Sequence, residues 1–268
     1  MVWSVVGHDK NKKYFQTALK DGYLSHAYLF SGPEMIGKKL FAKDLVDLLN
    51  NRGSENNPDF ISVGHSIENI RDLKSFLYVK PYYGPYKLAL IDEAEKMTAE
   101  ASNALLKILE EPSSSTVIIL VSSKPKLLLP TIWSRCQEIK FQPLMGEDLI
   151  SFLPSKLRAE DKNFLKQIAS GRPGWIIKNA ENAGEIRDSV QEFDKILKQG
   201  IFEKIQYAAK VVERENQVQL ISDLIYWYSG QENKQAKLIK NLIQLSGIVS
   251  QSQYNHRLAL ENFLINSQ

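Results

Sequence analysis

The chain has 268 residues, of which 43% are apolar, so it is long enough for about two globular domains of roughly 100–200 residues each. Its net charge of +3 is too small to indicate nucleic-acid binding on its own. Cys136 is the only cysteine, which excludes an internal disulfide and a cysteine-rich metal cluster. The apolar runs are too short to span a bilayer and the first residues do not resemble a secretory signal, so we expect a cytoplasmic protein without a membrane partner.

Short β-rich runs alternate with amphipathic helical runs over the first half of the chain. Thr98 is a candidate N-cap for a helix over 99–110, which Pro112 would end. Strands that alternate with helices predict an α/β fold, with a parallel sheet covered by helices on both faces. The predicted strands are residues 27–30, 60–63, 86–91, 116–121 and 138–141.

The pattern changes after Pro143, where apolar residues recur at helical spacing and no convincing strand follows. Two short helices, a turn at 171–174 and the start of another helix predict a small helical domain over 144–183. Four or five further helices predict a larger helical domain over 184–268. The α/β domain is then residues 1–143.

A glycine-rich loop, GPEMIGKK at 32–39, follows the first predicted strand and opens a helix. Gly32, Gly37 and Lys38 match the phosphate-binding pattern G-x-x-x-x-G-K-[ST], in which backbone N–H groups and a helix N-terminus attract phosphate. An ordinary strand-to-helix turn is the alternative. Lys39 stands where a Ser or Thr hydroxyl should bind magnesium, and a protonated lysine cannot ligate a metal. The loop therefore indicates a phosphate-binding fold without magnesium-dependent hydrolysis.

Polar side chains also follow two other predicted strands, at the end where parallel sheets bind their ligands. Asp92 and Glu93 end the third strand, where the first acid can support magnesium and the second can polarise water. A solvated acidic turn is the alternative. Ser123 ends the fourth strand, where its hydroxyl can sense phosphate. The alternative is an ordinary serine-rich end of a strand.

Arg135 lies between an apolar pair and the fifth predicted strand, in TIWSRC at 131–136. A guanidinium offers planar, bidentate donors to phosphate. The alternative is a surface arginine beside a buried cysteine. Cys136 itself is interpreted as a small core residue, because no paired histidine is identifiable.

Several short segments occur in one order and together resemble the AAA+ subunits of DNA sliding-clamp loaders. Within that family the likeness is greatest to the delta-prime subunits of bacterial DNA polymerase III. It is dense over 1–143, weak at 171–174, and returns as NHRLALE at 255–261. The segments that carry it are WSVVGH at 3–8, HAYLFSGP at 26–33, GK at 37–38, NPD at 57–59, YKLALIDEA at 86–94, NALLKILEEP at 103–112 and SRC at 134–136.

The resemblance implies an AAA+ domain at 1–143, a small helical lid at 144–183, and a helical collar at 184–268 that joins a ring of five subunits. It implies gamma/tau and delta subunits as partners. The sliding clamp and primer-template DNA would be bound by the complex as a whole. In such rings a neighbour's arginine completes each nucleotide site. Arg135 matches that arginine finger and would act in trans on ATP held by an adjacent gamma or tau subunit. The subunit itself would be a largely non-hydrolysing stator in ATP-driven clamp loading.

Two departures from the ATP-hydrolysing relatives fit this interpretation. Lys39 replaces the magnesium-binding hydroxyl, and Gly174 stands where a second sensing arginine of the lid is expected. Lys38, Asp92 and Glu93 remain, so ATP can still bind without hydrolysis, and no cofactor is required. The main alternative is an ATP-hydrolysing gamma/tau-type subunit or a related AAA+ ATPase. A stand-alone nucleotide-binding regulator is a third hypothesis.

A further departure concerns zinc. Many relatives carry four zinc-binding cysteines ahead of the NPD segment, and residues 50–56 of this chain contain none. We therefore predict that the purified protein holds no stoichiometric zinc. Elemental analysis checks this, and one tightly held zinc per chain would contradict it.

Overall fold

The structure is a computed structural model that describes residues 3–214, 216–231 and 235–267. The chain folds into two compact units, the first ending at Asp148 and the second beginning at Leu149. Within the described residues no helix combines the length and the apolar character needed to cross a membrane.

The first unit holds a parallel sheet made of β1 Ala27–Ser31, β2 Phe60–Val63, β3 Lys87–Ile91, β4 Thr116–Ser122 and β5 Gln137–Lys140. The strand order across the sheet is β2-β3-β4-β1-β5. The predicted α/β class is confirmed, and every observed strand begins and ends within one residue of its predicted bounds. The helices are α1 Asp9–Asp21, α2 Lys38–Asn50, α3 Ile67–Leu77, α4 Ala99–Glu110, α5 Pro130–Trp133 and α6 Gly146–Ile150, the last of which reaches the boundary between the units.

Both faces of the sheet are buried, because alternate residues of each strand point to opposite sides and helices cover each side. On one face, Tyr28 and Phe30 of β1 pack with Phe15 of α1 and Phe41 of α2. On the other face, Leu29 packs among apolar residues of α3, α4 and α5. This two-sided core explains why the central strands are continuous apolar runs.

Local capping fixes where the helices start. Thr98 Oγ1 accepts a hydrogen bond from the Ala101 N–H at 3.2 Å, which confirms the predicted N-cap of α4. Ser66 caps α3 in the same way through the Asn69 N–H.

The described residues of the second unit form helices joined by turns and loops: α7 Ala159–Ala169, α8 Pro173–Asn179, α9 Ala183–Leu197, α10 Ile201–Val212, α11 Gln217–Ser229, α12 Ala236–Val249 and α13 His256–Asn266. Helix α11 packs against α7, α9 and α12, and α13 packs against α10 and α12. The helices predicted for the lid and for the collar therefore lie in one compact unit, and the division into three domains stays a prediction.

The sequence interpretation of Pro173 and Gly174 as turn residues is wrong, since they form the first turn of α8. Proline suits this place because its fixed φ matches a helix and its missing N–H has no intrahelical partner there anyway.

Asp59 is a fully buried carboxylate directly before β2. It accepts hydrogen bonds from the backbone N–H groups of Tyr82 at 2.6 Å, Tyr83 at 2.7 Å and Gly84 at 3.1 Å, and Lys87 Nζ lies 3.2 Å away. Burial alone would raise the pKa of Asp59, but these donors outweigh it and lower the pKa to about 2. The NPD segment thus ties the loop before β3 to the edge of the sheet.

We predict that Asp59→Asn lowers the free energy of unfolding of the first unit by about 2–4 kcal/mol, because Lys87 stays buried without its charge partner. Amide hydrogen exchange along β3 in the intact protein measures this and should accelerate at least ~30-fold. Asp9→Asn is the control, since the Asp9 side chain is 87% exposed and 3.7 Å from Lys12. Equal exchange rates in the two variants would contradict the role of Asp59.

That stabilisation should depend on pH. The folded pKa of Asp59 lies below the unfolded value of about 3.9, so the contribution is complete above that value and disappears as the pH falls towards the folded pKa. The difference between wild type and Asp59→Asn should therefore shrink in acid.

Candidate functional site

The register of the sheet brings three strand ends together. Ser31 at the end of β1 pairs with Ser122 at the end of β4, and Ile91 at the end of β3 pairs with Leu120. The residues that follow these ends in the chain include Gly32, Asp92 and Ser123. The carboxyl edge of the sheet therefore gathers the loop, the acidic turn and the serine that the sequence predicted for one site.

The loop has a backbone shape that its glycines make possible. Gly32 has φ +141°, and a Cβ there would lie 2.4 Å from the carbonyl oxygen of Phe141. Gly37 has φ +97° and stands as the N-cap of α2. Because Gly37 has no side chain, it leaves the first N–H groups of α2 uncapped, as phosphate binding at a helix N-terminus requires.

Lys38 is folded back into the loop. Its ammonium donates to the carbonyl oxygens of Gly32 and Pro33, at 2.7 Å for Gly32, and the residue is only 6% exposed. Burial lowers the pKa of Lys38, while the nearby acids Glu34, Glu95 and Asp92 act in the opposite direction. A phosphate entering the loop would have to draw this ammonium away from the carbonyls.

Lys39 contacts the acid that the sequence predicted as a support for magnesium. Lys39 Nζ lies 3.1 Å from Asp92 Oδ2, and the two side chains are 53% and 31% exposed. A pair this exposed contributes no more than about 1 kcal/mol to stability. Its chemical consequence is larger, because the ammonium lies against the carboxylate and the hydroxyl ligand is missing. The donor set does not fit magnesium, which needs oxygen ligands in octahedral geometry.

Glu93 is held differently from Asp92. It has φ +50°, and its carboxylate is 2.7 Å from Lys96 Nζ. The pair is exposed on both sides, so the acid predicted to polarise water is partnered by a local lysine.

Ser123 joins two acids that the sequence analysis did not single out. Its hydroxyl lies 2.7 Å from Glu95 Oε1 and 3.2 Å from Glu34 Oε1, and its N–H also donates to Glu95. Burial acts to raise the pKa of Glu95, but the hydrogen bonds from Ser123 and Ser122 outweigh it and the pKa is lowered. Ser123 is therefore engaged with carboxylates beside the loop.

His8 ties the N-terminal segment to the loop. Its Nε2 is 2.7 Å from the carbonyl oxygen of Ile36, so that nitrogen carries the hydrogen. Burial lowers the pKa of His8, which favours the neutral ring. His8 belongs to the family-like segment at 3–8, and its contact holds the loop directly before Gly37.

Arg135 lies in the short connection between α5 and β5. Its Nη2 is 2.9 Å from Glu110 Oε1, and its Nη1 donates to the carbonyl oxygen of Thr131 at 3.0 Å. The arginine side chain is 36% exposed and that of Glu110 is 50% exposed. The structure thus pairs Arg135 with the last residue of α4 rather than with the loop residues of its own site.

The connection that carries Arg135 is anchored on both sides. Ile132 is buried, and Trp133 and Cys136 pack against the core between the sheet and α3, α4 and α5. Burial raises the pKa of the Cys136 thiol to about 12, which agrees with its interpretation as a core residue. The exposed guanidinium therefore projects from a well-packed base.

In the second unit, Arg172 lies two positions before Gly174, where the resemblance predicts the sensing arginine of the lid. Gly174 lies in the first turn of α8, where it has no side chain to present. The neighbouring Arg172 donates to the carbonyl oxygens of Ala169 at 2.7 Å and Ile168 at 3.2 Å. Its guanidinium also lies 3.9 Å from the ring centre of Tyr226. The Arg172 side chain therefore contacts residues of its own unit.

Comparisons with known proteins agree with this architecture. The family described as DNA polymerase III, delta subunit, matches residues 53–145. The chain is 32% identical to DNA polymerase III subunit tau of Bacillus subtilis over 214 residues, 72% of this chain and 37% of the relative. It is 34% identical to DNA polymerase III subunit delta' of Pseudomonas aeruginosa over 208 residues, 66% of this chain and 63% of the relative.

A solved structure shows the same fold. A DNA polymerase III gamma subunit-related protein of Thermotoga maritima matches with a TM-score of 0.57 at 20% identity, covering 94% of this chain and 98% of that one. The chain spans 37% and 63% of the lengths of the tau and delta' relatives. The matched family, the relatives of both kinds and the parallel sheet agree, and the chain is similar to DNA polymerase III subunits of the tau and delta' kinds.

Proposed function

We propose that this chain is a delta-prime-type subunit of a DNA polymerase III clamp loader and that it hydrolyses little or no ATP itself. In this proposal it joins delta and gamma/tau subunits in a ring of five and supplies Arg135 to ATP on the adjacent gamma or tau subunit. The ring then loads the sliding clamp onto primer-template DNA. The same proposal locates the protein in the cytoplasm.

The observation that carries the proposal is the placement of Arg135. A finger arginine needs a rigid base and a guanidinium that can reach outside its own subunit. The packed connection between α5 and β5 provides the base, and the 36% exposure of the side chain provides access. A planar guanidinium fits phosphate oxygens bidentately, which makes arginine suited to this role.

Glu110 must be exchanged for phosphate if Arg135 is to act as a finger. The pair is exposed on both sides, so breaking it costs no more than about 1 kcal/mol. Phosphate carries more charge than a carboxylate and offers more acceptor oxygens. The exchange is therefore favourable once a neighbour's nucleotide comes within reach.

The chain's own nucleotide site supports a non-hydrolysing role. Lys39 lies against Asp92, and Glu93 is paired with Lys96. Both acids that would serve magnesium and water in an active site thus have lysine partners. The lid adds no arginine at Gly174.

An ATP-hydrolysing gamma/tau-type subunit is the second candidate, and two observations favour it. The chain keeps the loop with Lys38 buried in it, and it is 32% identical to a tau subunit over 72% of its length. Hydrolysis by the isolated chain separates this candidate from the first.

We predict that the purified chain turns over no more ATP than a Lys38→Ala variant, because Lys39 replaces the magnesium-binding hydroxyl. A sensitive phosphate-release assay with and without magnesium measures this. Magnesium-dependent turnover that Lys38→Ala abolishes would favour the gamma/tau-type candidate instead.

We predict that Arg135→Ala leaves the subunit folded and able to assemble with gamma/tau and delta subunits, yet slows ATP hydrolysis by the complex. A finger arginine contributes about 10³–10⁵-fold to the rate at its site in other systems. The total rate of ATP hydrolysis by the complex should fall by at least the fraction that this one site contributes. Arg135→Lys should restore only part of it, because an ammonium lacks the planar fork. Steady-state hydrolysis with DNA and clamp present is the measurement, with assembly verified by size-exclusion chromatography.

Two controls separate a finger from a structural ion pair. Glu110→Gln breaks the same pair but keeps the guanidinium, so it should leave hydrolysis at or above the wild-type rate. Arg52→Ala removes an exposed arginine whose guanidinium lies over the Tyr83 ring, and it should have no effect. Equal losses from Arg135→Ala and Glu110→Gln would show that only the pair matters, and unaltered hydrolysis in an assembled Arg135→Ala complex would rule out the finger.

A further inference from the structure

Lys39 does more than remove a metal ligand, because its ammonium lies where a cation is expected. In phosphate loops with a Ser or Thr at this position, the hydroxyl and the acid after a neighbouring strand hold magnesium against the nucleotide phosphates. Here the side chain from the hydroxyl position reaches the acid itself, with Lys39 Nζ 3.1 Å from Asp92 Oδ2.

We propose that this loop binds the phosphates of a nucleoside di- or triphosphate without a divalent cation, with the Lys39 ammonium bridging Asp92 and the phosphate oxygens in place of the metal. The proposal goes beyond the role of Arg135, since a finger that acts on a neighbour's nucleotide does not require the chain to bind its own.

The chemistry of an ammonium suits this bridge. It is a compact positive charge with three rotatable donors, so one hydrogen can remain on Asp92 while the others meet phosphate oxygens. Lys39 is 53% exposed and can follow a ligand, whereas Lys38 is 6% exposed and fixed in the loop. A phosphate in the loop would meet Lys39 and the uncapped start of α2 directly, and would meet Lys38 once its ammonium is drawn away from the Gly32 and Pro33 carbonyls.

The same geometry disfavours magnesium. A dication next to Asp92 would lie close to the Lys39 ammonium and would be repelled by it. It would also lack the hydroxyl oxygen that completes its ligand set. A metal would therefore have to displace Lys39 from Asp92 to enter.

Nearby acids limit how strongly the site can bind an anion. Glu34, Asp92 and Glu95 act on Lys38 electrostatically, and Ser123 donates to both Glu34 and Glu95. Three carboxylates set against two lysines give these five side chains a net charge of −1, so the Lys39 charge is needed to offset Asp92 when a phosphate binds. Removing the Lys39 charge should weaken nucleotide binding as much as removing magnesium does in a phosphate loop that has the Ser or Thr hydroxyl.

Nucleotide affinity measured with and without magnesium tests the proposal. The probes are N-methylanthraniloyl ADP and ATP, titrated with the full chain in EDTA or in magnesium chloride and followed by fluorescence anisotropy. Wild type should bind at least one of them with dissociation constants that agree within twofold in the two buffers. Lys39→Met should weaken binding at least tenfold in both, while Lys43→Met, an exposed lysine on the same helix, should not.

A restoring variant makes the test sharper. Lys39→Thr returns the hydroxyl and frees Asp92, so its binding should become at least tenfold tighter with magnesium than with EDTA. Wild-type binding that needs magnesium, unchanged binding by Lys39→Met, or no binding of either nucleotide would overturn the proposal. Because Arg135 is intact in all these variants, such a result would leave the finger role standing.

Discussion

The ion pair between Lys39 and Asp92 is the constraint on which the functional account depends. In the sheet, β4 lies between β3 and β1, the strand that leads into α2, and the Lys39 side chain reaches across to the acid that follows β3. A hydroxyl at that position would leave the carboxylate open to a metal. An ammonium neutralises it within the chain. A lysine at position 39 thus keeps the backbone of a phosphate-binding loop but places an ammonium where the loop pattern has a metal-binding hydroxyl.

Arg135 lies at the surface, where its guanidinium contacts the exposed carboxylate of Glu110. Its backbone is fixed by buried neighbours, while its guanidinium contacts the exposed Glu110 and the backbone carbonyl of Thr131. A weak, exposed partner keeps the side chain ordered and is easily replaced by phosphate. In the functions that we propose, the glycine-rich loop would bind phosphate groups without catalysis, and Arg135 would act on a nucleotide held by another subunit.

The sequence predicted most of the first unit because its signals are local. Strand ends were predicted within one residue, since each strand is a short apolar run bounded by polar or turn residues, and Thr98 marked the start of α4. Pairings between distant segments could not be predicted in this way. The contacts of Arg135 with Glu110 and of Ser123 with Glu95 join residues 25 and 28 positions apart, and only the fold brings them together. Asp59 was likewise part of a recognised segment, but its burial depends on a loop that follows it.

A structure of the assembled complex with a non-hydrolysable ATP analogue, determined by electron cryo-microscopy, tests the central claim most directly. The account predicts that Arg135 leaves Glu110 and lies within hydrogen-bond distance of the phosphates on the adjacent subunit, while Lys39 remains on Asp92 in this chain. An Arg135 guanidinium that stays on Glu110 beside an occupied neighbouring site, or a magnesium ion bound by Asp92 here, would contradict it.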